Sequence, residues 1–165
     1  MLHRGQTALG EDEMMTPMFV ILGALMTAPE AKPAGTILFV CEHGSAKSVV
    51  AAAHFNQIAA ARGLPFRAIS RGTVPDVEMA LAAVEGLRRD GLKPDDPVPT
   101  KLEQWDLDAA VRVVTFCALP PGLQARSRIE QWEVPPVSTE YAASREAMLV
   151  QIERLLQELA ALGAR

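Results

Sequence analysis

The sequence predicts an α/β protein, built as a doubly wound, four-stranded parallel sheet with helices on both faces. Two observations carry this prediction. Short apolar runs rich in β-branched residues alternate with longer stretches whose apolar residues recur at helical spacing. The chain has 165 residues, which suits a single domain with one hydrophobic core. Strands that alternate with helices in this way pair in parallel, because each helix carries the chain back to the start of the next strand.

The first half of this domain contains two strand and helix units. Residues 36–40 (TILFV) predict a strand that is buried on both faces. Residues 47–62 are rich in Ala and predict a helix that stops at a following glycine. Residues 66–70 alternate as a second strand, and Asp76 can cap a second helix that ends at Gly91. The predicted apolar face of this second helix comprises Ala80, Val84 and Leu87.

The second half supplies two more strands and the longest helix. Residues 111–116 (VRVVTF) predict a third strand after a short helix, and residues 131–134 predict a fourth. Ser138 or Thr139 can cap the final helix. Its apolar residues recur at spacings of 4, 3, 4 and 3, and they are Met148, Ile152, Leu155, Leu159 and Leu162.

Composition and charge exclude several classes of protein. Apolar residues make up 49% of the chain and charged residues 22%, which is ordinary for a globular protein and unlike a disordered or collagen-like chain. Sixteen Lys and Arg against twenty Asp and Glu give a net charge of -4. We expect no nucleic-acid partner, because such binding usually needs a broad basic surface. The two cysteines, Cys41 and Cys117, form neither a disulfide scaffold nor a clustered zinc site.

The N-terminal segment is expected to lie outside this domain. We place residues 1–35 in an extension and the domain itself in residues 36–165, because prolines and a glycine interrupt the chain before the first strand. The apolar run at residues 18–26 is too short to span a bilayer, and we expect no transmembrane span. It has the length of a signal-peptide core, although acidic residues precede it. We favour a cytoplasmic location, with export through a signal segment at residues 14–31 as the alternative.

The loop between the first strand and the first helix carries the candidate chemistry. It runs from Cys41 to Ser48, and its small residues can aim backbone N–H groups at one point beside the positive end of the helix dipole. Gly44 can adopt a positive φ, Lys47 adds a charge, and Ser48 can hydrogen-bond a thiolate or an oxyanion. These groups would favour the thiolate form of Cys41, whereas the alternative is an inert buried cysteine. The other predicted anion-binding residues are Glu42, His43, Ser45 and Ala46.

This loop resembles the signature of the low molecular weight phosphotyrosine protein phosphatases and of the arsenate reductases that share their fold. In that signature a strand ends in Cys, five loop residues follow, and then come Arg and Ser. Residues 39–48 (FVCEHGSAKS) match it, with Lys47 in place of the Arg. Residues 70–73 (SRGT) are similar to the family's Ser-Ala-Gly-Thr, and residues 113–117 (VVTFC) resemble the strand before the second cysteine of thioredoxin-coupled arsenate reductases. The resemblance implies that Cys41, Lys47 and Ser48 are catalytic.

Two departures from the family pattern affect the expected activity. Lys47 is a point charge and cannot grip a phosphoryl group with two parallel hydrogen bonds, which lowers the expected rate by roughly 10²–10³. Phosphatases of the family carry an acidic Asp-Pro pair before the last helix, whereas Pro136 stands at the position of that Asp. Glu133 is the nearest carboxylate and could act as the acid, but it lies three residues away, about 10 Å along an extended chain.

Two further residues are accessory candidates within the resemblance. The family's strand order puts the second strand beside the first, so Arg71 could reach over the loop and supply the missing guanidinium. Arsenate reduction needs a resolving thiol, and Cys117 is the only candidate within the chain. For each residue the alternative is an ordinary structural role, as a surface cation and as a core side chain.

The sequence therefore predicts a cysteine-dependent, phosphatase-like protein that acts on a phosphate monoester of the phosphotyrosine type. One alternative is an arsenate reductase that uses Cys41 with Cys117 or with an external thiol reductant. The other is an oxyanion-binding protein that has lost efficient turnover. The expected ligands are phosphate, arsenate or a phosphorylated substrate, and we expect neither a cofactor nor a metal ion.

Overall fold

The computed structural model of the chain describes residues 34–163. The predicted signal segment at residues 14–31 lies outside the described residues. Of the predicted N-terminal extension, residues 1–35, only the last two residues are described. The helices and strands, in chain order, are β1 (Gly35–Cys41), α1 (Lys47–Ala61), β2 (Phe66–Gly72), α2 (Leu81–Arg89), α3 (Gln104–Ala109), β3 (Ala110–Thr115), β4 (Ile129–Gln131) and α4 (Val137–Gly163).

The four strands form one parallel sheet in the order β2-β1-β3-β4, which confirms the predicted fold class. The chain passes from β1 to β2 on one side and then crosses back to place β3 on the other side of β1. In doubly wound sheets the crevice for a ligand opens where the strand order reverses in this way. Cys41, the last residue of β1, lies at the carboxyl end of the sheet at that point.

Helices cover both faces of the sheet because the central strand is apolar on both sides. Alternate residues of β1, Ile37 and Phe39, belong to a core shared with α1, α2 and α4. The intervening residues, Leu38 and Val40, belong to a smaller core shared with α3. All four of these side chains are fully buried. The larger core includes an aromatic group in which the Phe39 ring contacts the rings of Phe55, Phe116 and Trp132.

Three predicted elements differ from the structure. Helix α2 begins at Leu81 after Ala80, so the prediction that Asp76 caps it is wrong. Strand β4 covers Ile129–Gln131 and so overlaps the predicted strand, residues 131–134, at one residue only. Residues 132–136 instead connect β4 to α4. The backbone of α4 leaves helical geometry at Glu140, with φ of -136° and ψ of 49°, so its regular part begins after that residue. Of the predicted apolar stripe on α4 only Leu162 is exposed.

Within residues 34–163, no helix is both long and apolar enough to cross a membrane. The same part of the chain contains no group of three His, Cys, Asp or Glu side chains that could hold a metal ion.

Candidate active site at the end of the first strand

The predicted loop connects β1 to α1, and its two ends meet through their side chains. Cys41 is 6% exposed at the end of β1, and Ser48 is fully buried in the first turn of α1. The Cys41 Sγ atom lies 3.0 Å from the Ser48 Oγ atom. A hydroxyl at this distance can donate to a thiolate, so Ser48 can stabilise negative charge on Cys41.

Residues 73–80, which follow β2 and are called the wall segment below, lie against this loop and fix its backbone. Four carbonyl oxygens of the loop accept hydrogen bonds from backbone N–H groups of this wall segment. The pairs, carbonyl first, are Cys41 with Thr73, Glu42 with Val74, His43 with Asp76, and Ser45 with Ala80. In a trans peptide the next N–H points away from the carbonyl, so the N–H groups that follow these carbonyls face away from the wall. Several of them can therefore donate to one bound anion.

Two glycines allow the loop and the wall to come this close. Gly44 has φ of 61°, as predicted, and a Cβ atom on it would lie 2.8 Å from the Gly72 backbone nitrogen. A Cβ atom on Gly72 would lie 2.7 Å from the Gly44 nitrogen. Because both contacts are with backbone, any side chain at either position would push the loop away from the wall.

Lys47 is half-buried at the start of α1, and its charge reaches across to another element. Its Nζ atom donates a 3.1 Å hydrogen bond to the carbonyl oxygen of Val134, in the segment that precedes α4. One of the three ammonium donors is thereby engaged, and the other two can serve an anion. The lysine thus connects two sides of the site.

The loop borders a cavity of about 360 Å³. Among the predicted site residues, the structure places Cys41, Glu42, His43, Ser45, Ala46, Lys47 and Cys117 along this cavity. Pro136, which the resemblance puts at the position of the family's acid, also borders the cavity, and its side chain cannot donate a proton.

Cys117 lies two residues after β3 and shares the cavity with Cys41. Both are free thiols. Burial raises the pKa of the Cys117 thiol, and the negative charges of Cys41 and Glu42 raise it further, against a hydrogen bond with Thr73 that lowers it. Cys117 is therefore a neutral thiol near neutral pH.

The structure does not bring Arg71 to the loop, so the predicted compensation for Lys47 is wrong. Side chains alternate along β2, and Arg71 projects on the α3 face of the sheet, opposite the face that Cys41 shares with α1. Its Nε atom donates a 2.9 Å hydrogen bond to Asp106, whose side chain is fully buried. The guanidinium also lies over the ring of Trp105, 5.8 Å from its centroid. Arg71 is bound to α3 and stabilises that face of the sheet.

Glu133 is exposed and does not border the cavity, so the structure gives no support to its role as the acid. The carboxylates that do border the cavity are those of Glu42 and Asp76, and Asp76 makes two contacts with the loop. Its Oδ2 atom accepts a 2.7 Å hydrogen bond from Ser45, and its Oδ1 atom lies 3.1 Å from the His43 Nδ1 atom. Sequence reasoning assigned Asp76 to a helix cap. The sequence feature that could have placed Asp76 in the active site is its position shortly after β2, because the carboxyl ends of neighbouring parallel strands lie at one edge of a sheet.

Known structures share this arrangement of elements. The chain is similar to a thioredoxin-dependent arsenate reductase of Corynebacterium glutamicum, with 24% identity and a TM-score of 0.62, over 79% of this chain and 64% of that one. It is also similar to YfkJ from Bacillus subtilis, with 22% identity and a TM-score of 0.66, over 76% of this chain and 94% of that one. A third is the YwlE arginine phosphatase from Geobacillus stearothermophilus, with 20% identity and a TM-score of 0.60, over 77% and 94% of the two chains.

These likenesses identify the fold, and the first of them spans less than two thirds of the Corynebacterium chain. No curated protein matches the sequence. The model of the low molecular weight phosphotyrosine protein phosphatases matches residues 36–131, more than half of the chain and the part that holds the Cys41 loop and its wall. On that match, the chain belongs to the low molecular weight phosphotyrosine protein phosphatase family.

Proposed function

We propose that this protein is a phosphatase that transfers the phosphoryl group of a phosphate monoester to Cys41. The observation that carries the proposal is the contact between the Cys41 thiol and the Ser48 hydroxyl, inside a loop whose carbonyls bond to the wall segment. The Cys41 sulfur and the loop N–H groups that face away from the wall segment can then act on one phosphoryl group. Family membership supports this assignment, and phosphotyrosine is the substrate class that the family description names.

The reaction proceeds in two displacements at phosphorus. In the first, the Cys41 thiolate attacks, the S–P bond forms, and the P–O bond to the leaving group breaks. The loop N–H groups and Lys47 hold the phosphoryl oxygens while their charge redistributes. In the second, water attacks phosphorus, the S–P bond breaks, and the thiolate returns as phosphate leaves. Ser48 stabilises the thiolate at the start and at the end of the cycle.

Hydrolysis of p-nitrophenyl phosphate tests this proposal. We expect turnover by the unsubstituted protein, competitive inhibition by phosphate and arsenate, and no turnover by Cys41→Ser. Ser48→Ala should lower kcat by about 10-fold to 100-fold, since a hydrogen bond to a charged group contributes about 1.5–3 kcal/mol. Lys101→Met serves as the control for removal of a positive charge, because Lys101 is 67% exposed and does not border the cavity. Turnover that survives Cys41→Ser would contradict the proposal.

The position of Cys117 favours arsenate reduction as a second candidate. In that reaction arsenate condenses with the Cys41 thiol and water leaves, which gives an S–As bond. The Cys117 sulfur then attacks the Cys41 sulfur, the S–S bond forms, and the S–As electron pair passes to arsenic, so As(V) becomes As(III) as two thiols are oxidised. An external thiol reduces the disulfide. The shared cavity of the two cysteines supports this sequence of steps.

Arsenite formation with a thiol reductant separates the two candidates. Arsenate reduction requires both thiols, so Cys117→Ser should abolish arsenite formation, and the oxidised protein should lose two hydrogens by mass spectrometry. Phosphatase activity requires only Cys41. Binding of arsenate without arsenite formation or ester hydrolysis would leave the third alternative, an oxyanion-binding protein without turnover.

A further inference from the structure

The first displacement needs a group that gives a proton to the departing oxygen. The candidates for this proton donor are the titratable side chains that border the cavity. Among the described residues that border the cavity, the titratable side chains are those of Cys41, Glu42, His43, Lys47, Asp76 and Cys117. Cys41 is the nucleophile, and Lys47 is engaged with Val134. Cys117 has a raised pKa, which makes it a weak acid. Both carboxylate oxygens of Asp76 already contact other groups.

We propose that His43 is the catalytic proton donor and that Asp76 positions it. The proposal rests on the phosphatase function proposed above. The His43 Nδ1 atom lies 3.1 Å from Asp76 Oδ1, whereas its Nε2 atom lies 4.0 Å from the nearest carboxylate oxygen, that of Glu42. The distance to Glu42 is longer than a hydrogen bond, so Nε2 has no carboxylate partner and is the nitrogen that can donate a proton to a substrate.

Asp76 is itself held in place by the loop. Its Oδ2 atom accepts a 2.7 Å hydrogen bond from Ser45 Oγ, and its backbone N–H donates a 2.9 Å hydrogen bond to the His43 carbonyl oxygen. A carboxylate fixed at two points can fix the tautomer and the orientation of the imidazole, as the acid does in a catalytic triad. Ser45 is only 2% exposed, so this support comes from within the loop.

The proton balance closes over the two displacements. As the Cys41 sulfur bonds to phosphorus and the P–O bond breaks, the Nε2 proton of His43 passes to the leaving oxygen. The neutral imidazole then takes a proton from the attacking water as the S–P bond breaks. The histidine ends the cycle protonated, and the thiolate and phosphate are released.

Two esters that differ only in the leaving group test the assignment. The p-nitrophenolate ion leaves readily without a proton, whereas the phenolate of phenyl phosphate is more basic and depends on proton donation. We expect His43→Asn to lower kcat/KM for phenyl phosphate by about 10²-fold and for p-nitrophenyl phosphate by less than about threefold. Asp76→Asn should give the same pattern with a smaller loss.

Glu42→Gln tests the other carboxylate that borders the cavity. The matched control is Glu78→Gln, because Glu78 lies two residues after Asp76, is exposed and does not border the cavity. A loss on both esters to the same degree in His43→Asn would overturn the assignment, since it would indicate a structural role. So would a leaving-group-dependent loss in Glu42→Gln and not in His43→Asn. Failure of the unsubstituted protein to hydrolyse either ester would overturn the phosphatase proposal itself, and the two failures are therefore distinguishable.

Discussion

The Lys47 Nζ atom donates a 3.1 Å hydrogen bond to the Val134 carbonyl oxygen and so joins the start of α1 to the segment before α4. Arginine occupies this position in the family signature, and its planar guanidinium binds two phosphoryl oxygens at once. The lysine has a different geometry. One N–H of its ammonium group bonds to the segment before α4, and the other two can donate to the anion.

Lys47→Met is expected to weaken phosphate binding by about 10-fold to 100-fold, because a hydrogen bond to a charged group contributes about 1.5–3 kcal/mol. Lys47→Arg is expected to raise kcat for p-nitrophenyl phosphate by at least about 10-fold, since the forked donor set is restored. Calorimetric titration with phosphate and steady-state assays measure the two effects. A slower Lys47→Arg enzyme would show that the Val134 contact matters more than the fork.

Gly72→Ala is expected to impair both the loop and the stability of the fold. The added Cβ atom would lie 2.7 Å from the Gly44 nitrogen, and backbone must move to relieve that contact. Overpacking of this kind costs about 1–3 kcal/mol. We expect a reduced free energy of unfolding in urea and a loss of the stabilisation that phosphate gives.

Gly63→Ala is the matched control for this variant. Gly63 has φ of 63° and no atom within 4 Å of an added Cβ, so the alanine strains the backbone without touching the loop. Its free energy of unfolding should fall by about 1–2 kcal/mol while phosphate still stabilises the protein to the same degree. Equal phosphate stabilisation in Gly72→Ala would contradict the role assigned to the Gly44 contact.

Arg71→Met is expected to destabilise the fold without weakening phosphate binding. The substitution would leave the fully buried Asp106 carboxylate without its cation, although that carboxylate still accepts a 2.9 Å hydrogen bond from the Glu103 N–H. Removal of one partner of a buried pair costs about 3–5 kcal/mol. Arg67→Met, on the same strand but 60% exposed, should change the free energy of unfolding by less than about 0.5 kcal/mol. A weaker phosphate affinity in Arg71→Met would restore the hypothesis that Arg71 serves the anion.

Local patterns predicted those parts of the fold that depend on local chemistry. The apolar run of β1 indicates a buried strand, and the spacing of Met148, Ile152 and Leu155 indicates the buried face of α4. Both patterns can be read along the sequence without knowledge of distant contacts. The loop from Cys41 to Ser48 was predictable because its residues are consecutive. Its chemistry follows from a strand end and a helix start that lie six residues apart.

The predictions that failed involve contacts between distant parts of the chain. Asp76 fits a helix cap by its own sequence, but backbone hydrogen bonds to the loop keep its segment out of the helix, which starts only at Leu81. Arg71 was expected at the loop because its strand lies beside β1. The alternation of side chains put it on the other face, where Asp106 lies thirty-five residues later. Neither partner can be identified from the sequence around these two residues.

The last prediction concerns His54, a buried side chain of α1 that is 3% exposed. Its Nε2 atom lies 3.2 Å from the Asp90 Oδ2 atom, and Tyr141 and Arg145 of α4 contact the same carboxylate. Burial lowers the pKa of His54, against the Asp90 charge that raises it, and the Arg145 charge lowers it further. The folded protein therefore binds fewer protons at this site than the unfolded chain does, below the unfolded pKa of about 6.5.

It follows that the contribution of His54 to stability is fully present above about pH 6.5 and is lost as the pH falls toward the lowered pKa of the folded state. Between pH 7.5 and pH 5.5 the unsubstituted protein should lose more free energy of unfolding than His54→Gln, by at most about 1.4 kcal/mol, since each pH unit below the unfolded pKa contributes at most that amount. Urea unfolding at both pH values measures the difference, and the other titrating groups cancel because both proteins carry them. Parallel pH profiles for the two proteins would mean that the folded chain accommodates a protonated His54 beside Asp90 as readily as the unfolded chain does.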